Sequence, residues 1–457
     1  MDSNDFTGYS SREIFREAMR QEEPADIGML SAKVGGLSVK GLTRLRNGVI
    51  TKLVYPMLTA KTLREVADES RELAGKLQAL GIAKEAHVVL DELHSDGKGQ
   101  LVNVKLLCKP MSRYIIRTEA GVDDNEGTAG VSGRLLNIFG GGETFDMNYL
   151  RGSKTQAAFQ GTFSVPVDAD PLKTLSITGV QRMVSNRPYS SHDEMLRSLV
   201  FDYQARDILL RSIHNVGYSL SWRNICNLGA TASQALRTEA GHSLKSSVTY
   251  QATLDTRDSP RLPTSGSLIK VLAEAAGLDG IGDTRFVKSQ IQLQTNQDLG
   301  GGYLVSTGVQ GGLMWNLDRG KRSRLADRFF LGGSTSIRGF EYHGIGPRDG
   351  NDSIGGDLYY AAGVSLLTPL PFVTTDSLKG HVWANAGQLA LLDARGLLRR
   401  SGEIHRFLMS PSAAVGVGIV YNHSVVRAEF SLCLPVIATA TDRPKAGPQL
   451  GFGITFL

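Results

Sequence analysis

From Pro110 to Leu457 apolar and polar residues alternate with period two in one segment after another, and helical periodicity largely stops. The final segment has Leu450, Phe452, Ile454 and Phe456 on one face and Gly451, Gly453 and Thr455 on the other. Over 425–434, Val426, Ala428, Phe430, Leu432 and Leu434 alternate with Arg427, Glu429, Ser431 and Cys433. The same reading gives Val287, Ser289, Ile291 and Leu293 against Lys288, Gln290, Gln292 and Gln294. About sixteen segments of this kind recur, each close to the ~9–11 residues that a tilted strand needs to cross a bilayer. They lie near 112–122, 128–138, 143–153, 155–166, 173–183, 195–206, 212–224 and 244–255. The series continues near 264–274, 284–294, 301–314, 357–368, 378–388, 411–421, 425–435 and 447–457, with 143–153 and 195–206 the weakest patterns.

Two architectures use such a pattern. A water-soluble β-sandwich also alternates, but it rarely sustains about sixteen strands of this length. A transmembrane barrel turns its apolar face to lipid and its polar face to the lumen, and closure removes every unpaired edge. The predicted fold class is therefore mainly β, an antiparallel transmembrane barrel of about sixteen strands, wide enough for an aqueous lumen.

Upstream the pattern changes. Residues 1–30 are polar, with a capping-box start at Ser10 and Glu13 ahead of a short helix at 11–22. Residues 31–110 read as one small α/β domain of β-α-α-β-β order. "GGLSVKGLTRLR" is its first strand, and Asn47 caps a helix that should end near Tyr55, ahead of Pro56. The second helix, 62–80, carries Leu63, Val66, Leu73, Leu77 and Leu80 on one face and stops at Gly81. "EAHVVLDEL" and "LVNVKLLC" are strands joined by a polar turn. The expected domains are thus 1–30, 31–110 and a barrel over 111–457.

Composition alters this picture little. Charge is nearly balanced, 50 Lys+Arg against 45 Asp+Glu, so a nucleic-acid partner is not implied. The 52 glycines exceed the usual share of about 7% and suit bends and close approaches in a large sheet. Three scattered cysteines make no disulfide framework, and nine scattered histidines no metal cluster. The segment "MDSNDFTGYSSRE" has neither a signal-peptide apolar core nor a transit-peptide composition. No run of ~18 apolar residues predicts a spanning helix. Phosphate-loop, nucleophile-elbow and zincin motifs are missing, so no catalytic residue, cofactor or metal is expected.

One stretch breaks the alternation. Between Trp315 and Asp357 lies a loop, 316–356, containing "FFLGGSTSIRGFEYHGIGPRDG". Loops this long are usually functional or disordered, and disorder does not suit Phe329, Phe330, Leu331, Ile337, Phe340 and Tyr342. Folded into the barrel, these side chains find walls and Arg338 finds polar inward groups. A surface loop with a local apolar knot is the alternative. His343 reads as polar packing.

The motif Ile337-Arg338-Gly339-Phe340 resembles the VRGF/IRGF motif in the sixth loop of the BamA-type outer-membrane assembly superfamily. "DTRDSPRLPTSGS" (255–267) is similar to that family's strand–turn–strand signature, and "GGDLYYAAGVSLLTPLPF" (355–372) to its twelfth-strand block. One preceding domain of this order resembles the single POTRA domain of the mitochondrial branch, the core barrel subunits of sorting and assembly machineries (SAM or TOB complexes). "GHSLKSSVTY" (241–250) and "NAGQL" (385–389) resemble the same branch.

The resemblance implies an insertase of the mitochondrial outer membrane, its POTRA domain facing the intermembrane space. It implies precursor partners with a C-terminal β-signal, metaxin-type accessory subunits and the lipid bilayer. A lateral gate would lie between the first strand (Tyr114, Ile116, Thr118) and the last (Gln449, Gly451, Ile454, Phe456), whose "QLGFGITF" fits a β-signal. In bacterial relatives the loop arginine meets acidic residues of neighbouring strands; here the matching positions are Ser365 and Asn385, both inward by period-two counting. Arg338 would then meet neutral acceptors without a full counter-charge. A barrel pore for metabolites or unfolded chains, with a fixed seam, is the other reading of the same barrel. A soluble β-rich enzyme has no catalytic constellation behind it.

Overall fold

The computed structural model describes residues 30–42, 44–95, 100–123, 126–278, 280–318, 320–371, 377–392, 401–422 and 427–453. The helix expected at 11–22 and the ends of the last strand, Ile454 and Phe456, lie outside the described residues. The chain divides into two compact units. The first comprises 1–113 with the segments 136–143 and 166–171; the second comprises 114–135, 144–165 and 172–457.

The first unit has strand β1 (Ala32–Lys40), helices α1 (Asn47–Thr59) and α2 (Leu63–Ala79), and strands β2 (Ala83–Ser95) and β3 (Gln100–Pro110). Its sheet has the order β1-β3-β2, β1 parallel and β2 antiparallel to β3. Thr62 caps α2 by accepting from the Glu65 N–H at 3.2 Å, while the Glu65 carboxylate accepts from the Lys61 N–H at 2.8 Å. The first bond satisfies one donor that a helix start leaves open, and the second ties down the residue ahead of the cap. Val66, Leu73 and Leu77 of α2 are buried against Leu53, Val54 and Met57 of α1 and Val104 and Leu106 of β3.

Two expectations for α1 are corrected. Asn47 lies inside the helix, and the N-cap position falls to Arg46, whose side chain makes no capping bond. The helix also runs through Pro56 to Thr59. Met57, 1% exposed, anchors the last turn in the core, and the Thr59 hydroxyl donates to the carbonyls of Tyr55 (3.3 Å) and Pro56 (2.8 Å). Packing outweighs the one backbone bond that proline forfeits. Within this unit Arg46 pairs with buried Glu143 at 2.9 Å and Lys52 with exposed Asp168 at 2.7 Å.

The second unit is a 16-stranded sheet. Its strands are β4 (Tyr114–Asp123), β5 (Glu126–Leu136), β6 (Thr144–Gly152), β7 (Thr155–Pro166), β8 (Lys173–Ser185) and β9 (Asp193–Asp207). Then come β10 (Ser212–Cys226), β11 (Gly241–Asp255), β12 (Gly266–Ala276), β13 (Phe286–Gly300) and β14 (Tyr303–Asn316). A two-strand hairpin, β15 (Arg348–Asp349) with β16 (Asp352–Ser353), sits in the long loop. The sheet resumes with β17 (Leu358–Pro369), β18 (Leu378–Ala390), β19 (Ser412–Asn422), β20 (Arg427–Ile437) and β21 (Gly447–Gly453). Short helices α3 (Gln234–Glu239) and α4 (Ser401–Met409) lie in connections.

Each of the sixteen segments read as barrel strands holds a strand over its described residues, including the two weakest, whereas β1 ends at Lys40, short of the expected "GLTRLR". Neighbours in sequence are neighbours in the sheet, and β14 pairs with β17 across the loop. The end strands β4 and β21 run side by side, with Cα atoms within 8 Å.

The outer face is apolar and uncovered. Ile116 (74% exposed), Phe159 (53%), Val309 (51%), Val364 (52%) and Leu450 (52%) all point out of the sheet. A water-soluble monomer rarely exposes a continuous apolar belt, whereas lipid demands one. Among the described residues no helix is long and apolar enough to span a bilayer.

Val66 is fully buried in the first unit, so Val66→Asp should place an unpaired carboxylate in that core and unfold it. Limited proteolysis should then remove residues 30–113, while the heat-dependent gel shift of the barrel persists. Loss of the gel shift together with the first unit would show that the two units fold as one.

Candidate functional site

The β14–β17 loop returns into the second unit and is held along its length. Asp327 accepts two bonds from Arg223 of β10, at 2.7 and 3.0 Å, and lies 3.4 Å from the ammonium of Lys245 on β11. Burial alone would raise this carboxyl, but Arg223 and Lys245 hold it below the usual carboxylate range. Phe329 lies against Tyr359 of β17, with ring centroids 4.7 Å apart, and the Lys288 ammonium sits 4.3 Å over its ring. At the hairpin, Asp352 accepts from the N–H and hydroxyl of Ser191 (2.8 and 2.6 Å) and from the Ser233 N–H (2.7 Å). His343 packs among the rings of Tyr189, Phe330 and Tyr342, and burial pushes its pKa down to about 3. It is a neutral packing group, as its sequence context suggests.

The turn 337–340 sits deepest. Ile337, Arg338 and Phe340 are each at most 2% exposed. Arg338 pairs with Glu429 of β20 at 2.8 Å, and the second oxygen of Glu429 accepts from Arg427. His381 of β18 places Nδ1 3.8 Å from Glu429, while its Nε2 lies 3.0 Å from the Ser365 hydroxyl. The Arg338 guanidinium also lies 5.3 Å from the centre of the Trp383 ring. One carboxylate thus serves two guanidinium groups, and removing it would take a charged partner from two buried cations at once.

Gly339 has φ +82°, and a Cβ there would come within 2.6 Å of the Ala414 Cβ, so both backbone and space require glycine. The flanking peptide bonds are read by the last strand. The Gly339 N–H donates to Gln449 Oε1 at 3.0 Å, and Gln449 Nε2 donates to the Phe340 carbonyl at 3.1 Å. Just ahead of β21 the Lys445 N–H donates to the Gly339 carbonyl at 2.8 Å. Gly387 of β18 leaves room for Ile337: a Cβ there would be 2.5 Å from Ile337 Cδ1.

The expectation that Arg338 meets only neutral acceptors is corrected by Glu429. Ser365 and Asn385 do face inward and are buried, at 8% and 4%. Yet the Ser365 hydroxyl partners His381, and neither polar atom of the Asn385 side chain has a hydrogen-bond partner among the described residues. The signal for Glu429 was available: it stands with Arg427 on the inward face of β20, as counted from the sequence. Pairing that strand with the loop required the fold.

Of the expected gate residues, Tyr114, Ile116 and Thr118 lie exposed on β4; Gln449 is buried and Gly451 lies in β21. Two polar spaces adjoin them. One, about 570 Å³, is lined by Arg117, Glu119, Arg134, Asp146, Asn148 and Gln160 on the inner wall of β4–β7. The other, about 540 Å³, lies between Glu341 and Tyr342 of the loop and Lys445 and Gln449 beside and on β21. Among the described residues no cluster of His, Cys, Asp or Glu could hold a metal.

The comparisons agree with this geometry. The family model of the Omp85 superfamily domain matches residues 137–456. A SAM50-like protein of Schizosaccharomyces pombe is 32% identical over 465 residues, covering 99% of this chain and 96% of its own. The sorting and assembly machinery component 50 homolog of Mus musculus is 33% identical over 428 residues, covering 91% and 89%. Among solved structures, BamA from Haemophilus ducreyi lacking POTRA domains 1–3 superposes with a TM-score of 0.75 at 13% identity, covering 93% of this chain and 84% of that one. With sheet order, loop motif and sequence in accord, the chain belongs to the Omp85 superfamily, among its SAM50-like members.

Proposed function

We propose that this chain is a membrane insertase that folds β-barrel precursors into the mitochondrial outer membrane and releases them sideways between β4 and β21. The observation that carries the gate is the tie between the loop motif and β21 through Gln449, beside the neighbouring end strand β4. The kinship with sorting and assembly machinery components supports the insertase role and the compartment. A precursor strand in lipid with unpaired backbone groups costs several kcal/mol per group. An insertase lowers that barrier by offering an edge, here that of β4, to which the precursor's β-signal adds as a strand. The loop motif braces β20 and β21 from inside, so that one lip of the seam stays fixed. The polar space beside β4–β7 would receive the precursor's polar face, its apolar face meeting lipid. The first unit faces the intermembrane space, and metaxin-type subunits work from the cytosolic side. No step requires covalent chemistry.

A cysteine at Ile116 paired with one at Leu450 or Phe452 should block client assembly when oxidised, and reduction should restore it. Undiminished assembly with the bond formed would favour a conducting pore with a fixed seam.

The ion-pair geometry sets an order of severity. Arg338→Ala leaves Glu429 with Arg427, and a charge-assisted bond contributes about 1.5–3 kcal/mol. Client insertion should fall roughly 10- to 100-fold while the barrel itself still integrates, since the backbone pairing of its sixteen strands does not use the Arg338 side chain. Glu429→Gln takes a shared charged partner from both guanidinium groups at once and should be more damaging. Insertion assays with a radiolabelled precursor test this; a milder Glu429→Gln would show that Arg338 does not depend on Glu429.

A further inference from the structure

The outer face of the sheet is largely apolar, and across β4–β10 it holds a groove of about 950 Å³. Its floor is glycine: Gly133, Gly161 and Gly179 lie on β5, β7 and β8 with no side chain to fill it. A Cβ on Gly133 or Gly179 would meet nothing within 4 Å. Met147, Phe159 and Leu199 form the walls. These residues share the outward parity: Met147 pairs with Gly161 and Leu199 with Gly179, opposite in facing to the inward Thr162–Thr178 pair.

One end of the groove is charged. Arg197 of β9 stands in the outward row with Leu199 and Phe201, exposed, its guanidinium 5.1 Å from the centre of the Trp222 ring. Gln181 and Trp222 flank it in register. Trp222 stacks in turn on His242, with centroids 5.0 Å apart, near the strand ends from which the β14–β17 loop departs. Among the described residues Arg197 has no carboxylate partner. A lipid-facing arginine is unfavourable except near the headgroups, where tryptophan also concentrates and where anionic groups supply the counter-charge.

We propose that this groove binds an anionic phospholipid, its phosphate held by Arg197 and its acyl chain lying over the glycine floor. The chemistry of both ends selects that occupant. A neutral hydrocarbon leaves Arg197 without an anion, and a soluble phosphate leaves the groove empty. The inference rests on the outer face meeting lipid and is independent of whether the seam opens, so either can fail alone.

Native mass spectrometry of the full chain in detergent with equimolar phosphatidylglycerol and phosphatidylcholine tests it, each variant first shown to keep the barrel's gel shift. The parent should retain phosphatidylglycerol about fivefold in preference, the factor that one interfacial cation commonly contributes. Arg197→Gln should equalise the two lipids, Arg197→Lys should keep most of the preference, and Gly179→Leu should lower retention of both. Equal retention by the parent, or a preference that survives Arg197→Gln, would overturn the assignment. So would a lipid-free dimer that Gly179→Leu disperses, since the groove would then be a protein interface.

Discussion

A backbone N–H or carbonyl in hydrocarbon has no water to turn to, and the structure follows from satisfying that demand. Sixteen strands pair in sequence order until the first and last lie side by side. Closure forces period-two alternation, because each strand then has one face in lipid and one in the lumen. It also leaves one seam where the neighbouring strands are joined by no connecting turn. The interior that closure encloses is what the long loop partly fills.

The loop is held by electrostatics at two levels. Asp327 is fixed by cations on β10 and β11, and Arg338 by Glu429 on β20, so the segment bridges opposite stretches of the sheet. Asp327, Arg223, Arg338 and Glu429 are buried, and buried pairs matter more by what their rupture costs than by their net strength. Gln449 adds something different in kind. It accepts from the Gly339 N–H and donates to the Phe340 carbonyl, and so ties the motif to β21.

Most of this architecture was legible in the sequence because strand periodicity is a local property. All sixteen strands, the α/β unit, and the inward parity of Ser365, Asn385, Arg427 and Glu429 follow from counting along the chain. What counting cannot supply is partnership between distant positions. Arg338 and Glu429 are 91 residues apart, and the inward parity that marks Glu429 does not say which distant group it meets. Matching by resemblance chose Ser365 and Asn385, which lie on the right wall but on the wrong strands. The end of α1 was misplaced for a related reason. The rule about proline is local, whereas burial of Met57 is a tertiary effect.

The central claim is that client strands meet this protein at the seam between β4 and β21. Site-specific photo-crosslinking with an arrested precursor tests it most directly, with a photoreactive residue placed in turn at Thr118, at Leu450 and at the outward-facing Val216 of β10. The account predicts adducts from Thr118 and Leu450 that depend on the precursor's β-signal, and none from Val216. Adducts from Val216 equal to those from the seam, or seam adducts indifferent to the β-signal, would contradict it.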